Sequence, residues 1–354
     1  MKPINTIDMD IKKIDPNFNT AVSIDHAGYE FFSPLDPRVR LYGVFHDGER
    51  YRRLPKDVAE STSLAVATLA TNTSGGRVRF VTNSRRISIS VKMDKIVRMA
   101  HMAYAGIHGF DLYSGTRHVR TFMPRTDLVG GYESEHTFPS SEERVLTLNM
   151  PLYNNVDELY IGIDEGATLS PAPDYKYELP VVYYGSSITQ GGCASRPGNC
   201  YQAMISRELD CNFINLGFSG SGRGEITVAN YIASLKMSAF VLDYDHNARS
   251  ADHLRETHLP FLMAVREAHP ELPIIMTSRP KCILNEDELR RREVIRESYL
   301  ARLEAGDKNV YFIDGTTLMV PDGTVDLAHP TDLGFRAMAD GILPVLRKVL
   351  ENSK

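Results

Sequence analysis

The spacing of apolar residues changes near residue 170 of this chain. Before that point apolar and polar residues alternate in short runs, as in the segment 87–92, where isoleucine and valine are separated by serine and lysine. A period of two is typical of β-strands with one buried face and one solvent-exposed face. After residue 180, unbroken apolar runs recur with helix-length segments between them, which predicts alternating strands and helices.

The front half contains several short strands of this kind. Arg77–Met93 holds two strand-like runs joined by Thr82, Asn83 and Ser84, which are residues that favour turns. Further alternating positions follow at Phe110, Leu112, Val119, Thr121, Leu146, Leu148, Leu159, Ile161 and Ile163. Many short strands punctuated by Gly, Pro, Asn and Ser predict an all-β domain of the sandwich or jelly-roll type.

The back half has the rhythm of a parallel sheet. Apolar runs of strand type occur at Val181–Tyr184, Phe213–Leu216, Ala239–Leu242, Ile274–Met276 and Val310–Ile313. Between them lie amphipathic segments such as 254–265, where Leu254, His258, Phe261, Leu262 and Val265 share one helical stripe. This alternation predicts an α/β domain whose sheet is covered by helices on both faces. The Pro- and Ala-rich segment Leu169–Pro173 predicts the boundary, with a β domain at residues 1–172 and an α/β domain at 173–354.

Length and charge narrow the classes of partner. A chain of 354 residues exceeds one average domain, which agrees with two. A formal net charge of −5 argues against a nucleic-acid or anionic-membrane surface, and no stretch approaches the ~20 apolar residues of a membrane span. The N-terminus lacks the apolar core of a signal peptide, which favours a cytoplasmic location; a secreted or periplasmic location stays open if a signal was removed.

The cysteines and the basic residues give no sign of a metal or cofactor. None of the four cysteines has the spacing of metal ligands. Cys193 and Cys200 flank a short loop, and their pairing in an oxidising compartment stays open, but free thiols are favoured. The basic run 290–292 is typical of the solvated face of a helix.

The loops that follow the parallel strands hold the candidate chemistry, because ligands of such sheets bind at the carboxyl ends of the strands. The first strand stops at Gly185 and is followed by Ser186 and Ser187. A serine at a sharp turn between a strand and a helix is how many hydrolases expose a nucleophile. A plain β-turn is the alternative, since Ser and Gly are also ordinary turn residues.

Three further loops add polar groups. Residues 215–225 contain four glycines, including Gly220, which suit a backbone that points N–H groups at a ligand. Neither a Gly-x-Gly-x-x-Gly pattern nor a phosphate-loop lysine is present, which disfavours a nucleotide site. Asn247 follows the third strand, where it is able to cap a helix or to donate to developing negative charge. Asp326 and His329 follow the fifth strand, and Pro330 keeps His329 out of the helix that comes next.

Taken together, the four loops supply what acyl transfer requires. Ser187 is the candidate nucleophile, His329 the candidate base and Asp326 the carboxylate that orients it. Backbone N–H groups of Ser187 and Gly220, with the Asn247 amide, are candidate donors to a tetrahedral oxyanion. All of them are predicted to meet at one edge of the sheet.

At this point residues 180–350 resemble the SGNH (GDSL-type) hydrolase superfamily, which has a flavodoxin-like parallel sheet. Gly185–Ile188 matches the first block of the family, although Ser186 stands where aspartate is usual. Phe218–Gly220 fits the second block, and Asp326–His329 fits the last. In the third block only Asn247 is retained, because Asp245–Ala248 lacks the usual glycine and aspartate. In the front half, Gly109–Tyr113 resembles the G-x-D-L-Y motif of a β-domain that precedes a subgroup of these hydrolases.

The resemblance implies a serine esterase that needs no metal or organic cofactor and cleaves small acyl esters, acetyl esters first, through an acyl-enzyme on Ser187. The two-domain order is also similar to that of some carbohydrate esterases, which by analogy makes an acetylated saccharide one candidate substrate and leaves the natural substrate open. An acyltransferase with the same groups is the first alternative. A non-catalytic carbohydrate-binding protein is the second, and the Ser187–His329–Asp326 set speaks against it.

Overall fold

The computed structural model of the protein describes residues 23–125 and 127–352. The N-terminal segment on which the signal-peptide expectation depends lies outside these residues. Within them, each helix is too short or too polar to span a lipid bilayer.

The front half forms β-strands that belong to two antiparallel sheets and one small hairpin. Their bounds are β1 (Tyr29–Phe32), β2 (Arg40–Tyr42), β3 (Phe45–His46), β4 (Tyr51–Arg52), β5 (Arg77–Thr82), β6 (Arg86–Lys92), β7 (Phe110–Ser114), β8 (Arg117–Phe122), β9 (Gly131–Thr137), β10 (Arg144–Asn149), β11 (Glu158–Asp164) and β12 (Leu169–Pro171). The first sheet has the order β1-β11-β6-β9. The second has the order β12-β5-β10-β7-β8, with β2 also paired to β5, and β3 pairs with β4.

The two sheets face each other as a sandwich, as the alternating pattern predicts. Phe80, Leu112 and Ile161 come from three different strands and meet in one buried core. The turn after β5 joins strands of opposite sheets, since β5 pairs with β10 and β6 pairs with β11. One expected solvent position is wrong: Ser88 on β6 is fully buried. It pairs with Gly162 of β11, and the rings of Tyr29 and Phe31 lie beside this position on the same face.

The back half contains the five predicted parallel strands. Their bounds are β13 (Tyr177–Gly185), β14 (Cys211–Gly217), β15 (Ala239–Asp243), β16 (Ile274–Thr277) and β17 (Val310–Ile313). The order is β14-β13-β15-β16-β17, and every pairing is parallel. This order reverses at β13, which is the flavodoxin-like arrangement with a ligand crevice at the point of reversal.

Helices cover both faces of the parallel sheet. The helices of the described chain are α1 (Lys56–Thr62), α2 (Leu64–Leu69), α3 (Tyr104–His108), α4 (Ser187–Gln190), α5 (Tyr201–Leu209), α6 (Ile226–Ala233), α7 (Ala251–Ala268), α8 (Glu286–Glu304) and α9 (Asp332–Asn352). Residues of α5 and α9 pack on one face, and residues of α6, α7 and α8 pack on the other. The stripe predicted in 254–265 is buried against the second face.

The short helices α1 and α2 were not expected from the β pattern of the front half. Ala59 and Val66 are fully buried against the parallel sheet of the back half, in the same core as Val182 and Phe240. This segment therefore stabilises the α/β domain although it precedes most of the β-sandwich in the chain.

The motif Gly109–Tyr113 lies at the contact between the two halves. The period of two in β7 sends Phe110 and Leu112 into the sandwich core. Asp111 points the other way, is fully buried, and accepts hydrogen bonds of 2.8 Å from the Arg196 guanidinium and from the Gly198 N–H. The carboxylate of β7 thus ties the sandwich to the loop that leads into α5.

Candidate active site

The turn after β13 presents Ser187 at the carboxyl edge of the sheet. The Ser186 hydroxyl accepts a hydrogen bond from the Ile188 N–H at 3.2 Å, which caps the short helix α4. Ser187 is the first residue of that helix and keeps 9% of its surface exposed. A side chain at Gly185 is excluded, because a Cβ there would lie 2.1 Å from the Asp243 carbonyl oxygen. Glycine therefore allows the strand to approach β15 and turn within one residue.

His329 reaches Ser187 across 142 residues of sequence. The distance from its Nε2 atom to Ser187 Oγ is 2.9 Å. Its Nδ1 atom lies 2.8 Å from Asp326 Oδ2. The structure thus places the three side chains in one hydrogen-bonded line, in the order hydroxyl, imidazole and carboxylate.

The hydrogen bonds that Asp326 accepts favour its ionised form. Its Oδ1 atom accepts from the His329 N–H at 2.8 Å and from the Ala328 N–H at 3.2 Å. Partial burial raises the pKa of Asp326, but these bonds and the contact with the His329 ring outweigh it, so the pKa falls to about 2. A carboxylate in this state holds the imidazole by Nδ1 and leaves Nε2 to face the hydroxyl.

Two of the expected oxyanion donors are free to bind. The N–H groups of Ser187 and Gly220 donate to no acceptor within residues 23–125 and 127–352. Gly220 has a φ of +65°, and nothing lies within 4 Å of the position of a Cβ. This left-handed conformation suits glycine and opens the backbone to a ligand.

The third expected donor is partly engaged. Asn247 ends a short 3-10 turn after β15, and its Nδ2 atom donates to the Phe218 carbonyl at 3.0 Å. The amide therefore sits beside the Gly220 loop, and it has a second N–H, which this bond does not use. In this way Asn247 both shapes the glycine loop and borders the site.

Residues of the front half support the turn, and the sequence alone did not single them out. The Tyr153 hydroxyl donates to the Ser187 carbonyl at 3.0 Å. Gln190 accepts from the Ser219 N–H at 3.0 Å and donates to the Leu152 carbonyl at 3.2 Å. A tyrosine and a leucine after a β-strand carry no signal of such a role, because it arises only from how the two halves dock.

Arg53 holds the glycine loop from beneath. It is almost fully buried, and its Nη1 atom donates to the carbonyls of Gly217 at 2.7 Å and Asn215 at 3.0 Å. Further bonds run to the carbonyls of Asn72 and Leu69. Burial lowers the pKa of Arg53 to about 9, so the guanidinium is still positively charged at neutral pH. The surrounding carbonyl oxygens stabilise this buried charge.

The loop after β15 rests on buried ionic contacts. Asp245 accepts from the Arg279 N–H at 3.0 Å, and Arg279 also pairs with Glu288 at 2.8 Å, so Arg279 forms a salt bridge. The expectation that the run 290–292 is wholly solvated is wrong for Arg291. This side chain is buried and donates to the carbonyls of Asp245 and Ala248, because α8 packs directly under the Asn247 loop.

Two further histidines border the site. The His101 ring, from the loop between β6 and α3, lies with its centroid 5.2 Å from that of His329. His246 has a buried Nε2 atom without a hydrogen-bond partner among the described residues. Burial, followed by repulsion from Arg279, lowers the pKa of His246 well below its usual value, so this imidazole is neutral at physiological pH.

One group at the site has the ligand types that a soft metal ion prefers. Donor atoms of His101, Cys193 and His329 lie within 4.8 Å of one another. Both nitrogens of His329 already have partners, and burial raises the pKa of the Cys193 thiol to about 12. A metal ion would therefore have to displace Ser187 and a tightly held proton. The four cysteines, Cys193, Cys200, Cys211 and Cys282, are free thiols.

Fold and site together define a class of protein. A flavodoxin-like sheet with a serine, histidine and aspartate in hydrogen-bonded order at its carboxyl edge is the arrangement of acyl hydrolases. The backbone donors beside the serine belong to the same chemistry.

Comparison with known families identifies the family within this class. Residues 178–347 match the GDSL-like lipase/acylhydrolase family. Residues 29–169 match the G-x-D-L-Y domain that forms the N-terminus of SGNH-hydrolase-type esterases. The chain belongs to the GDSL-like lipase/acylhydrolase family, as its motifs predict.

Solved structures agree with this assignment. A protein described as a GDSL-like lipase from Bacteroides ovatus is 30% identical, with a TM-score of 0.81 over 91% of this chain and 98% of its own. A salicylyl-acyltransferase from a tetracycline biosynthetic pathway is 20% identical, with a TM-score of 0.76 and the same coverage of 91% and 98%. An acetyl xylan esterase from Butyrivibrio proteoclasticus is 14% identical, with a TM-score of 0.60 over 92% and 99%. The last two show a shared fold. Among curated protein sequences, none matches this chain.

Proposed function

We propose that the protein is a serine esterase that hydrolyses small acyl esters, with acetyl esters as the first candidates, through an acyl-enzyme on Ser187. The observation that carries this proposal is the 2.9 Å contact between Ser187 Oγ and His329 Nε2. A base within about 2.6–3.2 Å of a hydroxyl is in reach of its proton.

The geometry supports a two-step reaction. Nε2 of His329 removes the proton from Ser187 as Oγ attacks the ester carbonyl carbon, and Asp326 stabilises the imidazolium that results. The imidazolium then protonates the alcohol oxygen as the ester C–O bond breaks, which leaves the acyl group on Ser187. Water, deprotonated by His329, attacks that acyl group and releases the acid and the serine.

The N–H groups of Ser187 and Gly220 and the Asn247 amide border the place where the negative oxygen forms. Donors that are fixed before the reaction need no reorganisation when charge appears. Loss of one such donor typically costs about 3–4 kcal/mol of activation free energy. The support from Arg53 and Gln190 keeps the Gly220 loop in position.

For the natural substrate we propose an acetylated saccharide. The support is the shared fold with an acetyl xylan esterase and the presence of the same two-domain order. His101 of the β domain stands beside His329, so the front half borders the catalytic edge and is placed to contact the alcohol part of an ester.

Adjacent serines allow a sharp test of the nucleophile. Release of p-nitrophenol from p-nitrophenyl acetate is measured for the wild type, Ser187→Ala and Ser186→Ala. We expect Ser187→Ala to lower kcat by about 10³-fold or more. Ser186→Ala removes only the cap of α4, at about 1 kcal/mol of stability, and keeps most of the activity. Equal rates for Ser187→Ala and the wild type would remove the nucleophile assignment.

An acyltransferase is the second candidate, and one observation favours it. The TM-score to the salicylyl-acyltransferase is 0.76, against 0.60 to the acetyl xylan esterase. The two reactions differ in whether water or an alcohol takes the acyl group, which depends on how the site excludes water. Product analysis of acetylated xylan oligosaccharides, with and without an added alcohol, separates them. Free acetate alone supports the esterase, and transfer without hydrolysis supports the second candidate.

A further inference from the structure

A cavity lies between the two halves of the molecule, away from Ser187. Its volume is about 160 Å³, and it is lined by residues of both domains, including Arg77, Arg79, Tyr113, Tyr175, Arg207 and Asp210. Phe213 also lines it, toward the amino end of β14, whereas Ser187 follows the carboxyl end of β13. The two sites thus occupy opposite ends of the parallel sheet.

The first of the cavity's arginines has all the partners that it needs. Arg77 donates to the Tyr175 hydroxyl at 3.1 Å, to the Asn212 side chain at 2.8 Å and to the Phe213 carbonyl at 3.2 Å. It also donates to the Gly75 carbonyl. This guanidinium is therefore a structural link between β5 and β14.

The second arginine is different. Arg79 is only 8% exposed, and its Nε and Nη1 atoms are buried without an acceptor among the described residues. Its guanidinium stacks on the Tyr175 ring, with Cζ 3.9 Å from the ring centroid. This cation–π contact stabilises the positive charge but gives the N–H groups in the plane of the guanidinium no hydrogen-bond acceptor. Buried N–H donors are almost always paired, so an acceptor is missing at this place.

The side chains that line the cavity also carry an excess of positive charge. Arg207 stacks on Tyr113 at 4.4 Å, and neither Arg207 nor Arg79 forms a salt bridge within the described chain. The one carboxylate of the lining, on Asp210, is exposed and accepts from the Lys176 N–H at 3.1 Å. Three guanidinium groups thus face a cavity with a single carboxylate at its border.

We propose that this cavity is a binding site for a small oxyanion, which accepts from Arg79 and lies between Arg77 and Arg207. Guanidinium groups recognise phosphate, sulfate and carboxylate oxygens, and such charge-assisted hydrogen bonds are the strong ones. By the volume share of about 30 Å³ for a water molecule, the cavity has room for about five waters or for one tetrahedral anion with a residual water. The anion bridges the β-sandwich and the α/β domain, since Arg79 belongs to the first and Arg207 to the second.

Binding is tested on the full chain with inorganic phosphate as the probe. Isothermal titration calorimetry is performed at constant ionic strength, with chloride replaced by phosphate. We expect one phosphate per chain and a Tm that rises saturably with phosphate, because a ligand of the native state stabilises it. A Tm that responds equally to phosphate and to chloride would overturn the proposal, since screening alone then explains the effect.

Arginine variants locate the site. Arg79→Met keeps much of the side-chain length but removes the charge and the donors, and we expect it to weaken phosphate binding by about tenfold or more. Arg290→Gln, on the exposed face of α8, removes one charge elsewhere and should bind phosphate as the wild type does. Circular dichroism in phosphate-free buffer checks that Arg79→Met is folded. If it is not, Arg207→Met, which is half-buried at the border, replaces it.

Two further probes distinguish the source of the anion. Glucuronate presents a carboxylate on a sugar ring, and acetate presents the same group alone. Tighter binding of glucuronate than of acetate and phosphate assigns the site to an acidic saccharide. Tighter binding of phosphate or acetate than of glucuronate assigns it to a small free anion. Phosphate binding that is unchanged in both Arg79→Met and Arg207→Met, or absent from the wild type for all three probes, contradicts the proposal.

Discussion

Asp326 illustrates how a single carboxylate sets the state of the imidazole beside it. With a pKa of about 2, it is ionised at neutral pH. Replacement by asparagine keeps the shape but removes the charge that stabilises the imidazolium and selects the tautomer. We expect Asp326→Asn to lower kcat for p-nitrophenyl acetate by about 10⁴-fold with little change in KM.

The control for this substitution is Asp252→Asn, at a carboxylate that is 89% exposed on α7. It removes the same charge at a distance from the site and should leave kcat unchanged. If Asp326→Asn were fully active, the carboxylate would not assist His329.

The lowered pKa of Asp326 also makes the stability of the fold depend on pH. Its contribution is present above the unfolded value of about 3.9 and is lost as pH falls toward about 2.

Asp243 titrates in the opposite sense. Burial, followed by repulsion from Asp245, raises its pKa to about 7. Between the unfolded value of about 3.9 and about 7 the native state binds more protons than the unfolded state, so the free energy of unfolding falls as pH rises through this window. Asp243→Asn removes this dependence and still offers an oxygen to the Thr189 hydroxyl, which lies 3.3 Å away.

We therefore expect the stability of Asp243→Asn relative to the wild type to increase from pH 4 to pH 7 and to level off above. Urea unfolding at several pH values measures the difference. A difference that is constant across this range would mean that Asp243 is not buried in its protonated form.

At the scale of single residues, sequence predicts a site best where a side chain follows a strand. Ser187, Asp326 and His329 were singled out as candidates because the carboxyl ends of parallel strands share an edge, and the structure brings the three side chains together. Tyr153 was not found, since a tyrosine that donates to the Ser187 carbonyl looks like any other tyrosine until the domains are docked.

Among the elements, strand β7 has the clearest double role. One face enters the sandwich core, and the other presents Asp111 to Arg196 and Gly198. The same loop continues to Ser195, whose N–H donates to Asp332 at 2.9 Å, three residues after His329. The motif of the β domain is thus connected through two hydrogen-bonded steps to the segment that carries the imidazole.

Asp111→Asn tests this connection. Removal of one charge from a buried ion pair leaves the partner poorly compensated, and we expect a loss of about 3–5 kcal/mol in the free energy of unfolding. Urea unfolding measures it, with the exposed Asp252→Asn as the matched control. A change below about 0.5 kcal/mol, the range of ordinary surface substitutions, would show that β7 and the Arg196 loop are not coupled.

Prediction of elements succeeded where periodicity is long and failed where it is short. All five strands of the parallel sheet and the helix around 254–265 were expected, because buried apolar runs and a 3.6-residue stripe are strong signals. The helices α1 and α2 have 7 and 6 residues, too few to show a period, and their buried face is visible only against the sheet that covers it.

For the whole molecule, the contacts between the halves predict a single unfolding unit. Arg53 donates to carbonyls of β14, α1 and α2 pack on the parallel sheet, and Tyr153 donates to the Ser187 carbonyl. We propose a boundary near residues 172–173. The core on one face of the parallel sheet includes Ala59 and Val66 of the front part, so the back part alone lacks part of its core. We expect differential scanning calorimetry to show one transition, with calorimetric and van't Hoff enthalpies that agree.

Two separate transitions in that scan would contradict this expectation. They would mean that the front half unfolds without exposing the core beneath α1 and α2. Repetition in phosphate-free buffer keeps the measurement independent of the interdomain cavity.

The sequence by itself determined the two architectures, the order of the parallel strands along the chain and the three residues of the hydrogen-bonded line at the serine. These depend on local periodicity and on strand ends, which a linear chain carries in full. Only the tertiary structure decided which residues of the β domain support the turn at Ser187, why Arg291 is buried and why Arg79 lacks an acceptor. Apolar spacing specifies that a face is covered but not what covers it, so contacts between distant segments appear only when the domains pack together.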